Sequence, residues 1–215
     1  MKSSLIVCYL LFFWVLANPL YALEQITNSG TISELDYQSL INLSEHLQQG
    51  GYIFYFRHAA TDHNQRDIRP LDLDDCSKQR SLSALGVKQA EDIGSAFNLL
   101  RIPVEKVISS PFCRCKNTAR IAFGKTETSN DLYFAIGLAR KEKQIKGNIL
   151  KQMLITPPAK GTNTIIVSHT ANLQEAIGVW PKPEGVAYLF KTNTQGKSQI
   201  IGKIKPQEWK KLIQN

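Results

Sequence analysis

The stretch YIFYFRHAATDHNQ, Tyr52 to Gln65, opens with five consecutive β-branched or aromatic residues and breaks at Arg57-His58 into small and polar ones. A run that short and that apolar suits a strand buried on both faces of a parallel sheet. Gly50-Gly51 just ahead of it closes a helix predicted over Asp36 to Gln49, with Leu40, Ile41, Leu43 and Leu47 on one face. The strand therefore delivers an arginine and a histidine, side by side, at its carboxyl end. Thr61 to Arg80 beyond them is polar and Asp-rich, which predicts a long surface loop.

The same alternation continues down the chain. A helix is predicted from Ser83 to about Leu100, with Leu85, Ala90, Ile93 and Phe97 as its core face. Val104 to Ser109 is a second strand, and SSPFCRCKNTARIAF turns into a third helix with Pro111 in its first turn. Asn130 to Gly147 has no clear period; a helix is expected over about Ile145 to Leu154, stopping before Pro157-Pro158. Thr164 to Val167 is a third buried strand, and SHTANLQEAIG bends into another helix. Val186 to Phe190 and Gln199 to Ile204 are late strands joined by a turn at Thr194-Gln195-Gly196, before a short helix from Trp209 to Ile213. Alternating strands and helices predict a three-layer α/β/α domain whose sheet is mainly parallel with an antiparallel edge.

Composition narrows the functional classes. Lys2, the apolar run Leu5 to Ala17 and the small residue at Ala22 have the layout of a secretory signal peptide over residues 1–22, leaving 23–215 as one domain. No other run is long and apolar enough to span a bilayer, so no stable membrane insertion is expected once the signal is cleaved. The net charge of +8 suits anionic partners, but the lysines are scattered and no aromatic-interleaved basic stripe suggests nucleic acid. Cys8 lies in the signal; Cys76, Cys113 and Cys115 remain. In an exported protein one disulfide and one thiol are expected. Cys113 and Cys115 are too close to pair comfortably, so Cys76 is one partner, and Cys76–Cys113 is the favoured bridge. No His/Cys cluster has metal-ligand spacing, and neither a metal nor a cofactor is expected.

Ligands of open α/β sheets sit beyond the carboxyl ends of the parallel strands. Here those ends are Arg57-His58, a Ser-Pro turn leading to Arg114 at a helix start, and Ser168-His169. Two arginines and two histidines aimed at one place, with helix N-termini adding N–H donors, make an anion pocket. The planar fork of arginine suits phosphate oxygens in particular.

These motifs resemble those of the histidine phosphatase superfamily, with its phosphoglycerate-mutase-like fold. RHAATDHN carries Arg57, His58, Thr61 and Asn64, with Ala59 where glycine is common. LSALGVKQA (Leu82 to Ala90), SPFCRCKNTA (Ser110 to Ala119) and SHTAN (Ser168 to Asn172) follow in the family's order. The resemblance spans about residues 50 to 205 and implies a metal-independent phosphomonoesterase. His58 would attack phosphorus and become a phosphohistidine, which water then hydrolyses. Arg57, Arg114 and His169 would hold the phosphoryl charge, and Thr61 and Asn64 its remaining oxygens.

The proton donor for the leaving group departs from the family pattern. Thr170 stands where the acid-phosphatase branch has Asp, leaving Glu184 in PKPEGV as the favoured acid and Glu142 and Asp62 as alternatives. A Cys76–Cys113 bridge would brace the Asp-rich loop against the start of the helix that bears Arg114. The pattern is similar to an exported, periplasmic bacterial branch connected with lipopolysaccharide core heptose phosphate. That implies a small phosphorylated substrate, a sugar phosphate or an envelope glycan; scavenging of phosphate from varied esters is the competing expectation. Two other readings share the fold: a non-catalytic anion-binding protein, and a phosphosugar mutase.

Overall fold

The computed structural model describes residues 32–192 and 198–214. The signal peptide expected over 1–22, with Cys8, and the turn expected at Thr194-Gln195-Gly196 lie outside these residues. Helix α1, Tyr37–Gln49, starts where the Asp36 carboxylate accepts a hydrogen bond from Ser39 N–H at 2.8 Å. It stops at Gly50, whose φ of 79° is open to glycine at no steric cost. Then follow β1 (Tyr52–Arg57), α2 (Ala84–Leu99), β2 (Val104–Ser109), α3 (Cys113–Phe123), β3 (Glu127–Thr128) and α4 (Arg140–Ile155). The chain continues through β4 (Asn163–Ser168), α5 (Thr170–Ile177), β5 (Ala187–Thr192), β6 (Ser198–Ile204) and α6 (Pro206–Gln214).

The six strands form one sheet in the order β3-β2-β4-β1-β5-β6. β3, β2, β4 and β1 run parallel, while β5 and β6 add an antiparallel edge. The expected three-layer α/β/α architecture is therefore present. Alternation along β1 divides its side chains between two cores. Tyr52, Phe54 and Phe56 pack with α1, α2, α3 and α6, where Trp209, Phe97 and Leu47 are buried. Ile53 and Tyr55 pack on the other face with Leu150 and Leu154 of α4 and Leu173 of α5.

Several local expectations need correction. Leu85 is not core: it is 63% exposed and lines a surface cleft with Thr61 and Glu184. Ile41 is also largely exposed, while Leu40 and Leu47 carry the buried face of α1. Pro111 stands ahead of α3, whose N-cap is Phe112, and not in its first turn. Helix α4 begins at Arg140, five residues before the predicted start, since its first turn is polar and solvated and gives no apolar period. The two-residue strand β3 is too short to leave a pattern.

Candidate active site

Parallel pairing of β1 with β4 sets Arg57 opposite Ser168, and His58 N–H donates to Ser168 O at 3.0 Å. The two histidines that follow these strands are thereby neighbours, with ring centroids 5.5 Å apart and both side chains buried. Ser110 N–H donates to Val167 O at 2.9 Å, which brings the third strand end, and Arg114 in the first turn of α3, to the same edge.

Hydrogen bonds fix the state of His58. Its Nδ1 lies 3.0 Å from Ala59 O, and a carbonyl only accepts, so Nδ1 carries the proton and Nε2 keeps its lone pair. Burial, then the positive charge of Arg114, pushes the His58 pKa down to about 3. Burial first and Arg114 second also hold His169 well below the ordinary histidine value. Both rings are neutral at physiological pH. His169 is oriented by Ser110 Oγ, 2.7 Å from its Nε2, and its carbonyl accepts from the Tyr55 hydroxyl at 2.6 Å. Cys115, the one free cysteine among the described residues, lies buried with Sγ 3.6 Å from the same Nε2.

The arginines are each anchored on one side. Arg57 donates from Nη2 to Glu184 Oε1 at 3.1 Å and from Nη1 to Pro181 O at 3.3 Å. Arg114, 1% exposed, donates from Nη1 to Asp67 Oδ1 at 3.1 Å and stacks over the Phe112 ring at 4.5 Å. Among the described residues the Nε atoms of both arginines are buried without a hydrogen-bond partner. Buried polar groups are normally hydrogen-bonded, so these two guanidinium N–H donors suit an anionic acceptor.

Glu184 reaches the pocket because β5 runs antiparallel to β1, so that Arg57 N–H donates to Val186 O at 3.0 Å and the β5 entry segment lies beside Arg57. Its carboxylate accepts from Thr61 N–H at 3.0 Å and Thr61 Oγ1–H at 2.9 Å, and His63 Nε2 is 3.4 Å away. Burial pushes its pKa up, but the Thr61 hydrogen bonds and the influence of His58 and Arg57 outweigh it and leave the pKa below the ordinary value. Glu142 is exposed in the first turn of α4. Asp62 accepts from Asn64 N–H at 3.0 Å as a turn-former of the loop. Asn64 is exposed, and the Thr61 hydroxyl is committed to Glu184, so neither side chain is set to receive an anion in this arrangement.

The remaining motif residues build the loop rather than line it. Ser83 caps α2 by accepting from Gly86 N–H at 3.1 Å. A Cβ at position 86 would overlap Ala60 O, so only glycine allows α2 to sit this close to the loop. Gln89 Oε1 accepts from Ala60 N–H at 2.9 Å, and Thr118 Oγ1 from Ala59 N–H at 3.0 Å. Asn172 holds the Tyr133–Ala135 segment through Ala135 N–H and Tyr133 O, and so places Phe134 4.7 Å from the His169 ring. Cys76 and Cys113 form a disulfide that joins the Asp-rich loop to the start of α3. Sequence reasoning missed Asp67, Ser110 and Phe134 as neighbours of the histidines and Arg114. Of these only Ser110 had a signal, its place in the Ser-Pro motif.

A cleft of about 740 Å³ opens beside Glu184, lined by Thr61, His63, Leu85, Gln89 and Lys182 among others. Among the described residues no group of His, Cys, Asp and Glu is arranged to hold a metal ion. No helix among them is long and apolar enough to cross a membrane.

Residues 53–132 match the family model of the histidine phosphatase superfamily, branch 1. The matched stretch takes in Arg57, His58 and Arg114; His169 and Glu184 lie beyond it. The fold, with its six-stranded, mainly parallel sheet, is that of the histidine phosphatases. The fold is similar to the protein histidine phosphatase SixA complexed with tungstate, at 14% identity and a TM-score of 0.53, over 73% of this chain and 97% of that one. It is equally similar to a phosphoserine phosphatase from Entamoeba histolytica, at 13% identity and a TM-score of 0.53, over 73% and 98% of the two chains. A SixA protein from Agrobacterium tumefaciens shares 18% identity, with a TM-score of 0.50, over 73% and 98%. No curated protein matches this sequence.

Proposed function

We propose that the protein is a metal-independent phosphomonoesterase working through a phosphohistidine on His58. The observation that carries this reading is the Nδ1–H···O=C bond to Ala59, which leaves a neutral, buried Nε2 among guanidinium groups with unsatisfied N–H donors. Nε2 of His58 attacks phosphorus in line; the N–P bond forms as the ester P–O bond breaks. Arg57, Arg114 and neutral His169 hold the charge on the transferring phosphoryl oxygens. The leaving oxygen takes a proton from Glu184. Glu184 rests ionised, but a dianion competing for Arg57 weakens that ion pair and raises the carboxyl pKa, so Glu184 takes up a proton from solvent as substrate binds and holds it for the leaving oxygen. Water then attacks phosphorus and returns a proton to Glu184, and His58 leaves as the neutral imidazole.

The substrate class that fits is a small phosphate monoester, a phosphorylated sugar or an envelope glycan, with its alcohol portion in the cleft lined by Leu85, His63 and Lys182. Lipopolysaccharide core heptose phosphate is the specific candidate, on the motif resemblance alone. Export to the periplasm is part of the same reading, supported by the Cys76–Cys113 disulfide, which persists in oxidising compartments. The test is hydrolysis of an aryl phosphate in the presence of a chelator, beside His58→Ala. Activity in the parent and loss of roughly 10⁴-fold or more in the variant are expected. Activity surviving in His58→Ala would refute the phosphohistidine route.

A further inference from the structure

Arg80 lies in none of the phosphate-binding motifs, yet the structure ties its backbone to the carboxylate that holds Arg114. Its backbone N–H donates to Asp67 Oδ1 at 2.9 Å, and the same carboxylate holds Arg114. Gln79, immediately before it, is buried and accepts from Cys113 N–H at 3.0 Å. Ser81, immediately after, accepts from Asp62 N–H at 3.0 Å, and Leu82 bridges Thr61. The segment is thus fastened to the loop that follows β1 on one side and to the start of α3 on the other. The Arg80 charge acts on both Arg57 and His169.

Charge distinguishes it from its neighbours. Arg57 is paired with Glu184 and Arg114 with Asp67, whereas among the described residues no acidic side chain forms an ion pair with Arg80. Both histidines are neutral. Among Arg57, Arg80, Arg114, Glu184 and Asp67 the sum is +1, and Arg80 supplies all of it. Without Arg80 these five groups would sum to zero before a dianion arrived, and local electrostatic attraction of the substrate would weaken.

We infer that Arg80 is a third arginine of the phosphoryl pocket, a substrate-contacting group that binds the phosphate dianion and favours monoesters over singly charged diesters. This rests on the phosphatase reading of the site. The test is equilibrium binding of inorganic phosphate to the purified protein and to Arg80→Gln and Arg80→Lys, with steady-state kinetics on an aryl phosphate beside it. Charge-assisted hydrogen bonds predict phosphate affinity about 10–100-fold weaker in Arg80→Gln, with KM raised more than kcat falls. Arg80→Lys restores part of that affinity, and the unfolding midpoint of both variants stays near the parent's. Unchanged phosphate affinity in Arg80→Gln, with the parent binding phosphate, overturns this inference and leaves the phosphatase reading standing. A parent that binds no phosphate overturns both.

Discussion

Glu184 Oε1 accepts a hydrogen bond from Arg57 Nη2 at 3.1 Å while its other oxygen accepts from Thr61 N–H. The carboxylate is therefore tied both to the arginine that ends β1 and to the loop beyond His58. If Glu184 moves the leaving-group proton, Glu184→Gln lowers kcat by roughly 10²–10⁴-fold on an alkyl phosphate. The loss should be much smaller on an aryl phosphate whose leaving oxygen needs no proton. An equal loss on both esters would reduce Glu184 to a support for Arg57 and Thr61.

The bridge between Cys76 and Cys113 closes a loop with a sequence separation of 37 residues that holds Gln79 and Arg80. Cross-linking a loop of that size stabilises by about 2–4 kcal/mol through the unfolded chain. Cys76→Ser is expected to lower the unfolding midpoint and raise KM, because the segment carrying Gln79 and Arg80 loses its covalent anchor at the start of α3. Thiol titration of the denatured, unreduced protein checks the pairing. Free thiols at both Cys76 and Cys113 in exported protein would contradict it.

Acid should destabilise the fold in a defined window. His58 titrates near 6.5 when unfolded and at about 3 when folded, so between these values the unfolded chain binds the extra proton. Its contribution is complete above about pH 6.5 and falls by about 1.4 kcal/mol per pH unit as pH drops toward the folded value. His169 shifts in the same direction, and the depressed Glu184 pKa adds to the loss below its ordinary value of 4.5. Denaturant midpoints measured from neutral pH to about pH 4.5 should decline steadily, and His58→Asn should flatten the slope by about one proton. A flat profile in the parent would mean that the histidines are not held neutral by burial.

Gly86 tests whether α2 shapes the loop. Gly86→Ala places a methyl group on Ala60 O, a backbone atom held by Ser83 N–H at 3.0 Å and unable to retreat. Overpacking of this kind costs about 1–3 kcal/mol. Because Ala60 follows His58 by two residues, activity should fall further than stability alone explains. Full activity in a destabilised Gly86→Ala would show that the loop tolerates displacement.

Much of the fold was legible in the chain because short apolar runs and helical periods are local. β1, β2, β4 and the antiparallel edge were marked by such runs, and the motif residues Arg57, His58, Arg114 and His169 by their place at strand ends. Segments whose character comes from packing were not legible. The polar first turn of α4 carries no period, and Leu85 reads as core because a sequence does not show which apolar side chain of a helix lines an open cleft.

The sequence by itself determined the alternation of strands and helices, the residue types at each strand end and the chemistry open to them. How those groups are poised depends on contacts made in the folded chain. The tautomer of His58 depends on Ala59 O, the charge of Glu184 on Thr61 and Arg57, and the position of Arg114 on Asp67. Those contacts join residues that no local pattern relates, and burial, which decides whether a histidine stays neutral, exists only once the layers have closed.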